Sequence, residues 1–189
     1  MHDGEAIADA GYTEPTAVQS AGITRDNLVL IDLWAKRTEP GSVYGDITWT
    51  GFTGARVPAR IGEVFETVRR GRDAAVEFVR TRVAQGEFPF GWEVDDTCRS
   101  VIHAAGYGEH FVHRTGHSIG EEVHGNGANM DNLETQESRR LMPRTCFSIE
   151  PGIYLPGEFG IRSELDVYVA DREAMVYGLP LQTEVVPIL

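Results

Sequence analysis

The sequence lacks the features of membrane, secreted and nucleic-acid-binding proteins. No apolar run reaches the roughly 18–20 residues that a membrane-spanning helix needs. The N-terminal stretch is acidic and has no apolar core segment, so it does not resemble a signal peptide. Contiguous basic residues never exceed a dipeptide, and the formal net charge is −12. This charge balance argues against nucleic acid and anionic membranes as partners.

Cysteine is also scarce. Cys98 and Cys146 are the only two cysteines, they lie far apart, and they show no CxxC spacing. A disulfide framework or a zinc finger therefore has little support, and we predict reduced thiols in a cytoplasmic protein. The length of 189 residues and the apolar fraction of 41% suit one globular domain, for which we predict the bounds 1–189.

Residues 146–170 have the pattern of an antiparallel hairpin. Apolar side chains alternate along both arms, and the turn chemistry lies around Gly157. With Gly157 at the centre, Glu150 and Glu164 each lie seven residues away and face each other. Directly opposed Cβ atoms are roughly 4.5–5.5 Å apart, a separation at which like charges destabilise a sheet. A metal ion between the two carboxylates would remove this repulsion.

Residues 28–50 repeat the construction around a second Pro-Gly turn. Centring this hairpin on Glu39 places Asp32 opposite Asp46, again seven residues away on each side. Solvated acidic edge strands are the alternative interpretation. Two matched acid pairs flanked by apolar residues favour a shared cation site instead, because acids on a surface hairpin more often alternate with lysines.

Helical patterns lie between the two hairpins. Apolar residues recur at three- and four-residue steps over residues 58–85, which predicts a long helix with a solvated arginine face. We predict a second helix over residues 96–105, capped by Asp95 or Asp96, and a short third helix over residues 133–141. The order hairpin, helix, helix, hairpin indicates an α+β fold with two pseudo-symmetric halves around a central site.

Four of the six histidines fall within residues 110–124. Glycines in this segment oppose a helix, and in an extended strand His113 and His117 lie on the same face. A single histidine is more often structural. Four histidines in a Gly-rich stretch, together with two acid pairs, favour metal ligation and proton transfer.

The four hairpin acids and one imidazole make five side-chain ligands. This number exceeds the three or four that one catalytic zinc ion takes, and it suits two divalent ions held by bridging carboxylates. Oxygen-dominated ligation with one imidazole favours manganese, cobalt, iron or zinc without deciding among them. Two such ions lower the pKa of a shared water, which makes a bridging hydroxide available, and they polarise a carbonyl oxygen.

Three segments of the chain resemble the creatinase, methionine aminopeptidase and prolidase superfamily, and most closely its Xaa-Pro aminopeptidase and prolidase branch. The resemblance runs from about Gly11 to the end of the chain. It implies the pita-bread fold, a pseudo-symmetric antiparallel sheet flanked by helices, and a single catalytic metallopeptidase domain whose upstream portion is missing. The segments are IDLWAK with YGDITWT (31–36, 44–50), HRTGHSIGEEVHG (113–125) and SIEPGIYLPGEFGIRSE (148–164).

The resemblance also implies residue roles, a cofactor and a substrate. We predict two divalent metal ions, with manganese ahead of cobalt, zinc or iron, and a peptide substrate with proline in the second position. Glu150 would act both as a metal ligand and as the general base. The implied metal ligands are Asp32, Asp46, His117, Glu150 and Glu164, and the implied catalytic residues are His113, His124, Glu150 and Arg162.

Two departures from the family pattern leave other functions open. Gly11 precedes Tyr12 at a position where the family has a substrate-contacting histidine, and upstream helices and strands are absent. The first hairpin is therefore expected to have an exposed edge, which leaves a homodimer open. The alternatives are a catalytically impaired homologue that binds peptides and a creatinase-like hydrolase of another C–N bond. A complete set of ligand positions argues against both alternatives.

Overall fold

The computed structural model describes residues 22–188, so the prediction about Gly11 lies outside the described part of the chain. Hairpins at the two ends of the described region enclose a pair of packed helices. The helices are α1 (Ala59–Ala84) and α2 (Gly91–Ala104), followed by a 3₁₀ turn (Gly108–His110); the strands are β1 (Leu28–Ala35), β2 (Gly45–Phe52), β3 (Ser118–Ile119), β4 (Thr145–Ile149), β5 (Gly152–Leu155), β6 (Phe159–Arg162), β7 (Leu165–Val169), β8 (Ala174–Tyr177) and β9 (Val186–Pro187).

The strands form three sheets with spatial orders β1-β2-β9, β3-β4-β7-β8 and β5-β6. Apart from the parallel pair β2 and β9, all neighbouring strands are antiparallel. Buried residues of α1, α2 and strands β4 to β7 form one hydrophobic core. Within the described residues, neither helix is long and apolar enough to cross a membrane.

The second hairpin has the predicted register. Leu155 pairs with Phe159, and farther from the turn Ile149 pairs with Leu165, so Gly157 lies at the centre of both ladders. Gly157 has a φ of 73°, which favours glycine at this position of the turn. The two glutamates of the predicted acid pair therefore occupy opposed positions, in the gap between the β4–β7 and β5–β6 ladders.

The centre of the turn in the first hairpin differs from the predicted centre by one residue. Asp32 pairs with Thr48 rather than with Asp46, so the predicted direct opposition of the two aspartates is wrong. The turn is centred on Pro40 instead of Glu39, which offsets the aspartates by two positions across the ladder. They still lie on the same face as diagonal neighbours, for which roughly 7–8 Å is typical.

Helix α1 confirms the predicted long helix, with Pro58 at its N-cap. Helix α2 begins at Gly91, so the predicted start at residue 96 and the predicted aspartate cap are wrong. The Glu93 carboxylate accepts a hydrogen bond from the Phe90 N–H (2.8 Å), which fixes the helix start at this earlier point. Asp95 is consequently buried within the first turns of the helix.

The predicted helix over residues 133–141 does not form. The Asp131 carboxylate accepts hydrogen bonds from the N–H groups of Leu133 (2.8 Å) and Glu134 (3.1 Å). The Glu137 carboxylate in turn accepts bonds from the N–H groups of Asn129 (3.2 Å) and Arg139 (3.0 Å). These side chains satisfy the backbone locally and so replace helical hydrogen bonds.

One arginine of the predicted solvated face of α1 is buried instead. Arg72 is 1% exposed and donates to Ser163 Oγ (2.7 Å) and the Gln182 carbonyl (3.0 Å). Its guanidinium also pairs with Asp73 at 2.8 Å. The solvated interpretation is therefore wrong at this position, and Arg72 links the long helix to the turn between β6 and β7.

Strand β1 is an edge strand of the described structure. Within residues 22–188 it pairs only with β2. Ile31 and Leu33 point away from the aspartate face and are 59% and 64% exposed. The outer surface of this hairpin is therefore apolar.

Candidate metal centre

Three chain segments bring three metal-binding side chains together. Asp46 comes from β2, His117 directly precedes β3, and Glu164 lies between β6 and β7. All three side chains are buried, and one ligand atom from each lies within 4.8 Å of the others. The face of the first hairpin thus meets the histidine segment and the second hairpin, as the arrangement of two halves around a central site predicts.

Glu150 lies beside this group. Its Oε1 atom is 3.3 Å from His117 Nε2. Ser148 Oγ donates to the same Oε1 atom (3.0 Å) and accepts a hydrogen bond from the His117 N–H (3.0 Å). Ser148 therefore fixes the carboxylate and the histidine backbone relative to each other. The pattern of apolar alternation did not single out this serine, although it precedes Glu150 by two positions in the same hairpin arm.

Asp32, the fifth predicted ligand, is not part of the three-residue group. It forms an ion pair with Arg162, whose Nη1 atom also lies 3.8 Å from Glu150 Oε2. Burial raises the pKa of Asp32 to about 6, although the charge of Arg162 opposes this shift. The structure thus places Asp32 and Arg162 at the rim of the site, in contact with each other.

Thr48 holds Glu164 in place and is a site residue that the sequence patterns did not indicate. Its Oγ1 donates to Glu164 Oε2 (2.6 Å) and accepts a hydrogen bond from Arg162 Nε (3.2 Å). Thr48 lies two residues after Asp46 on the same strand, and so on the same face of the sheet. That spacing is the signal that could have identified it.

The site holds more buried negative charge than its cations balance. Burial and the charge of Glu150 raise the pKa of Glu164 well above its usual range. Burial also disfavours ionisation of Glu150, but the charges of His117 and Arg162 outweigh burial and lower its pKa. Within the described residues, one buried oxygen of each of Asp46, Glu164 and Asp166 has no hydrogen-bond partner. Unpaired carboxylate oxygens beside an imidazole fit a divalent cation.

The two predicted substrate-side histidines flank the group. His113 Nε2 lies 2.7 Å from the Tyr154 hydroxyl, and Nδ1 lies 2.7 Å from the Arg114 carbonyl. Because a carbonyl only accepts, Nδ1 carries the proton and the Tyr154 hydroxyl donates to Nε2. Burial lowers the pKa of His113, which favours this neutral form. The His124 ring meets His117 edge to face, with centroids 4.4 Å apart.

The comparisons with known proteins agree with this geometry. The model of metallopeptidase family M24 matches residues 5–171. The chain belongs to metallopeptidase family M24. Among curated relatives, the Xaa-Pro dipeptidase of Lactobacillus helveticus is 38% identical over 102 residues, which cover 54% of this chain and 25% of that protein.

Solved structures of family M24 members share the fold. The dipeptidase PepE of Mycobacterium ulcerans has a TM-score of 0.72 and 34% identity, with 88% of this chain and 42% of that chain covered. The prolidase of Thermococcus sibiricus has a TM-score of 0.73 and 30% identity, with 93% of this chain and 44% of that chain covered. The chain therefore has the pita-bread fold, and it spans less than half the length of these relatives.

We expect divalent-metal affinity of this M24 chain to rise with pH between about pH 5 and pH 8, because ligands must lose their protons to bind metal. The pKa of the proposed ligand Asp32 is about 6, and that of Glu164 is also raised. Burial raises to about 7 the pKa of Asp166, which is not a proposed ligand but accepts the Asp46 N–H bond beside the group (3.0 Å). All three groups hold protons more tightly than free carboxyls do, so acidification weakens binding. Calorimetric titration with Mn²⁺ in buffers of different ionisation enthalpy measures both the affinity and the proton release.

A Glu158→Gln variant is the control for this titration, since Glu158 pairs with Arg60 on the surface (3.0 Å). It should show the same pH profile as the unmodified protein. An affinity that stays constant across this pH range would contradict the prediction.

Proposed function

We propose that this chain carries out metal-dependent hydrolysis of peptides with proline in the second position. The observation that carries the proposal is the buried group of Asp46, His117 and Glu164, with Glu150 beside it. Membership of family M24 supports hydrolysis, and the Xaa-Pro dipeptidase and prolidase relatives support the proline specificity. We further propose two divalent ions, with manganese favoured and cobalt, zinc or iron as alternatives.

The bound ions would act as Lewis acids and lower the pKa of a water molecule. Asp46, His117 and Glu164 would hold them, together with Glu150 and with Asp32 once it leaves Arg162. Glu150 has a lowered pKa and is ionised, so it can accept a proton as general base. Ser148 orients the Oε1 atom of this carboxylate through its hydroxyl.

The histidines and Arg162 lie where a peptide substrate would contact them. The neutral His113 is oriented by Tyr154 and offers a polar ring edge, and the exposed His124 lies on the other side of His117. Arg162 can balance negative charge that develops on a substrate carbonyl, because it keeps its positive charge in this buried position.

Proline lacks an amide hydrogen and has a fixed φ, so its recognition depends on packing against the ring. Trp34 lies on the same face of β1 as Asp32, and we propose that its ring contributes to such packing. Tyr154 adjoins His113. Trp49 lies on the opposite face of the hairpin, so its ring does not line the site.

The test is hydrolysis of Xaa-Pro dipeptides and of longer peptides with proline in the second position, with Mn²⁺ added. We expect cleavage of the Xaa-Pro bond and a kcat/KM at least about 10-fold lower for matched alanine peptides, because a pocket built for the ring loses contacts. Metal binding is measured in parallel by calorimetry. Bound metal without hydrolysis of either peptide class would refute the proposal.

A second candidate function is a catalytically impaired homologue that binds peptides. The observation that favours it is Asp32, which pairs with Arg162 instead of joining the ligand group. The same assay separates the two functions, since the second predicts peptide binding without turnover. Creatinase-like hydrolysis of another C–N bond, a homodimer, a cytoplasmic location and the absence of nucleic-acid and membrane partners stay predictions.

A further inference from the structure

We propose that Asp95 and Arg99 of helix α2 are positioning residues for His113, so that this buried ion pair sets substrate turnover without touching substrate or metal. The inference rests on the proposed function, because it assigns these residues to the same reaction. From its sequence position, Asp95 is expected only to cap a helix.

The pair is a buried fork within the second and third turns of α2. Arg99 Nε and Nη2 donate to the two carboxylate oxygens of Asp95, at 2.8 Å and 3.0 Å. Asp95 is fully buried, and the Arg99 side chain is 18% exposed. Two parallel bonds between planar groups fix the orientation of both, which a single contact would not do.

The fork holds the backbone of the histidine segment at three points. Arg99 Nη1 donates to the Phe111 carbonyl (3.0 Å), and Nη2 donates to the His113 carbonyl (2.9 Å). The Asp95 carboxylate accepts a hydrogen bond from the Thr115 N–H (2.8 Å). The guanidinium also lies over the Phe111 ring, 4.2 Å from its centroid. The Asp95 carboxylate also accepts a hydrogen bond from the Asn132 N–H (3.2 Å), and the other partners of this network belong to α2 or to residues 111–115.

The N-terminal part of this segment, residues 111–114, makes few other main-chain hydrogen bonds among the described residues. Residues 111–117 form no strand. Main-chain bonds to Met130, Ser148 and Glu150 hold the C-terminal part, residues 115–117, whereas Arg99 holds the carbonyls of Phe111 and His113. The fork therefore supplies main-chain hydrogen bonds that a sheet ladder would otherwise provide. His113 lies at the centre of the three anchored residues.

The same segment connects the fork to the proposed general base. The Thr115 carbonyl accepts a hydrogen bond from the Glu150 N–H (2.7 Å), while its N–H is bonded to Asp95. A shift of the fork would thus move the His113 ring away from the Tyr154 hydroxyl. Such small displacements of groups that surround a metal site lower activity by about 10- to 100-fold.

Histidine ring NMR spectra of the metal-free protein test the inference without any activity measurement. The unmodified protein should show one neutral His113 tautomer, with the proton on Nδ1. In Arg99→Met we expect the His113 ring signals to shift and to indicate a mixture of tautomers, while the His117 signals stay close to their original positions. Unchanged His113 signals in Arg99→Met would overturn the inference.

Two further variants separate positioning from loss of structure. Arg99→Lys keeps the charge opposite Asp95 and loses the fork, so it should fold and still shift the His113 signals. Arg140→Met is the matched control, because Arg140 also lies over a ring, that of Phe90, and donates to a main-chain carbonyl. It should leave the His113 spectrum unchanged.

Kinetic measurements provide a second test of the positioning role. We expect Arg99→Met to lower kcat/KM for an Xaa-Pro dipeptide by about 10- to 100-fold, with Mn²⁺ affinity within about threefold of the original. In a His113→Asn background the same substitution should have little further effect, because both changes act through one group. Fully additive losses would overturn the inference. If the unmodified protein shows no hydrolysis, the proposed function fails, and the ring spectra still decide the positioning role.

Discussion

Replacing Glu164 with glutamine is expected to weaken Mn²⁺ binding by more than about 100-fold, since even outer-shell residues of metal sites contribute 10- to 100-fold. Glu164 brings a buried carboxylate next to His117 and Asp46, and one of its oxygens has no hydrogen-bond partner among residues 22–188. Glutamine has nearly the same shape and can still accept the bond from Thr48, but it lacks the charge. Calorimetry at pH 8 measures the loss, and hydrolysis should fall below detection.

The stability of the metal-free variant shows that the loss is not caused by unfolding. The pKa of Glu164 is raised in the folded state, so the folded protein disfavours the ionised form at pH values above the usual range for glutamate. Removing that charge should leave the metal-free Glu164→Gln protein at least as stable at pH 8 as the original. Glu87→Gln, at an exposed ion pair with Arg82, should retain full metal affinity. A Glu164→Gln protein that binds Mn²⁺ within threefold of the original would contradict the assignment.

The second hairpin shows how far local sequence patterns determine the site. The turn between β5 and β6 has only three residues, with Gly157 at positive φ, so it leaves little freedom for the register, and alternation of buried residues then fixes which side chains share a face. The opposition of Glu150 and Glu164 could therefore be predicted. The first hairpin has a longer connection of nine residues between β1 and β2. Composition alone does not determine which of these residues is the centre of the turn. The predicted centre, Glu39, is therefore one residue away from the observed centre, Pro40.

Other features depended on contacts between distant segments and had no local signal. Arg72 has the helical spacing of a solvated residue, and only the approach of Ser163 and the Gln182 carbonyl explains its burial. Asp95 is predicted to cap a helix because aspartate is common there, but it lies within α2, where its carboxylate accepts a hydrogen bond from the Thr115 N–H, 20 residues away (2.8 Å). Side-chain partners that are far apart in sequence override local preference in both cases.

The proposed ligands and the residues that orient them differ in the same way. Few residue types other than acids and histidines bind divalent ions, so the sequence pattern could propose a ligand group, of which the structure brings Asp46, His117 and Glu164 together. Thr48 and Ser148 are ordinary strand residues by composition, and they become site residues only through the 2.6 Å and 3.0 Å bonds to Glu164 and Glu150. Residues that orient ligands are therefore more easily found from the fold than from the sequence.

Replacing Gly116 with alanine should lower the free energy of unfolding by about 3 kcal/mol, the upper end for overpacked sites. A Cβ atom at this position would lie 1.9 Å from the Ser148 carbonyl oxygen and 2.7 Å from its carbon. Both are main-chain atoms of β4, so no side-chain rotation relieves the contact. Urea unfolding of the metal-free protein measures the change.

Gly62→Ala is the matched control, because a Cβ atom there meets nothing within 4 Å and the residue lies within α1. Alanine in a helix interior is favoured over glycine, so this variant should gain about 0.5–1 kcal/mol. A Gly116→Ala protein with the same unfolding midpoint as the original would contradict the predicted clash. If the Gly116→Ala protein folds with the histidine segment shifted away from β4, the His117 N–H moves away from Ser148 Oγ. Its Mn²⁺ affinity should then fall together with its stability. We therefore expect the close packing of the histidine segment on β4 to be required both for the fold and for metal binding.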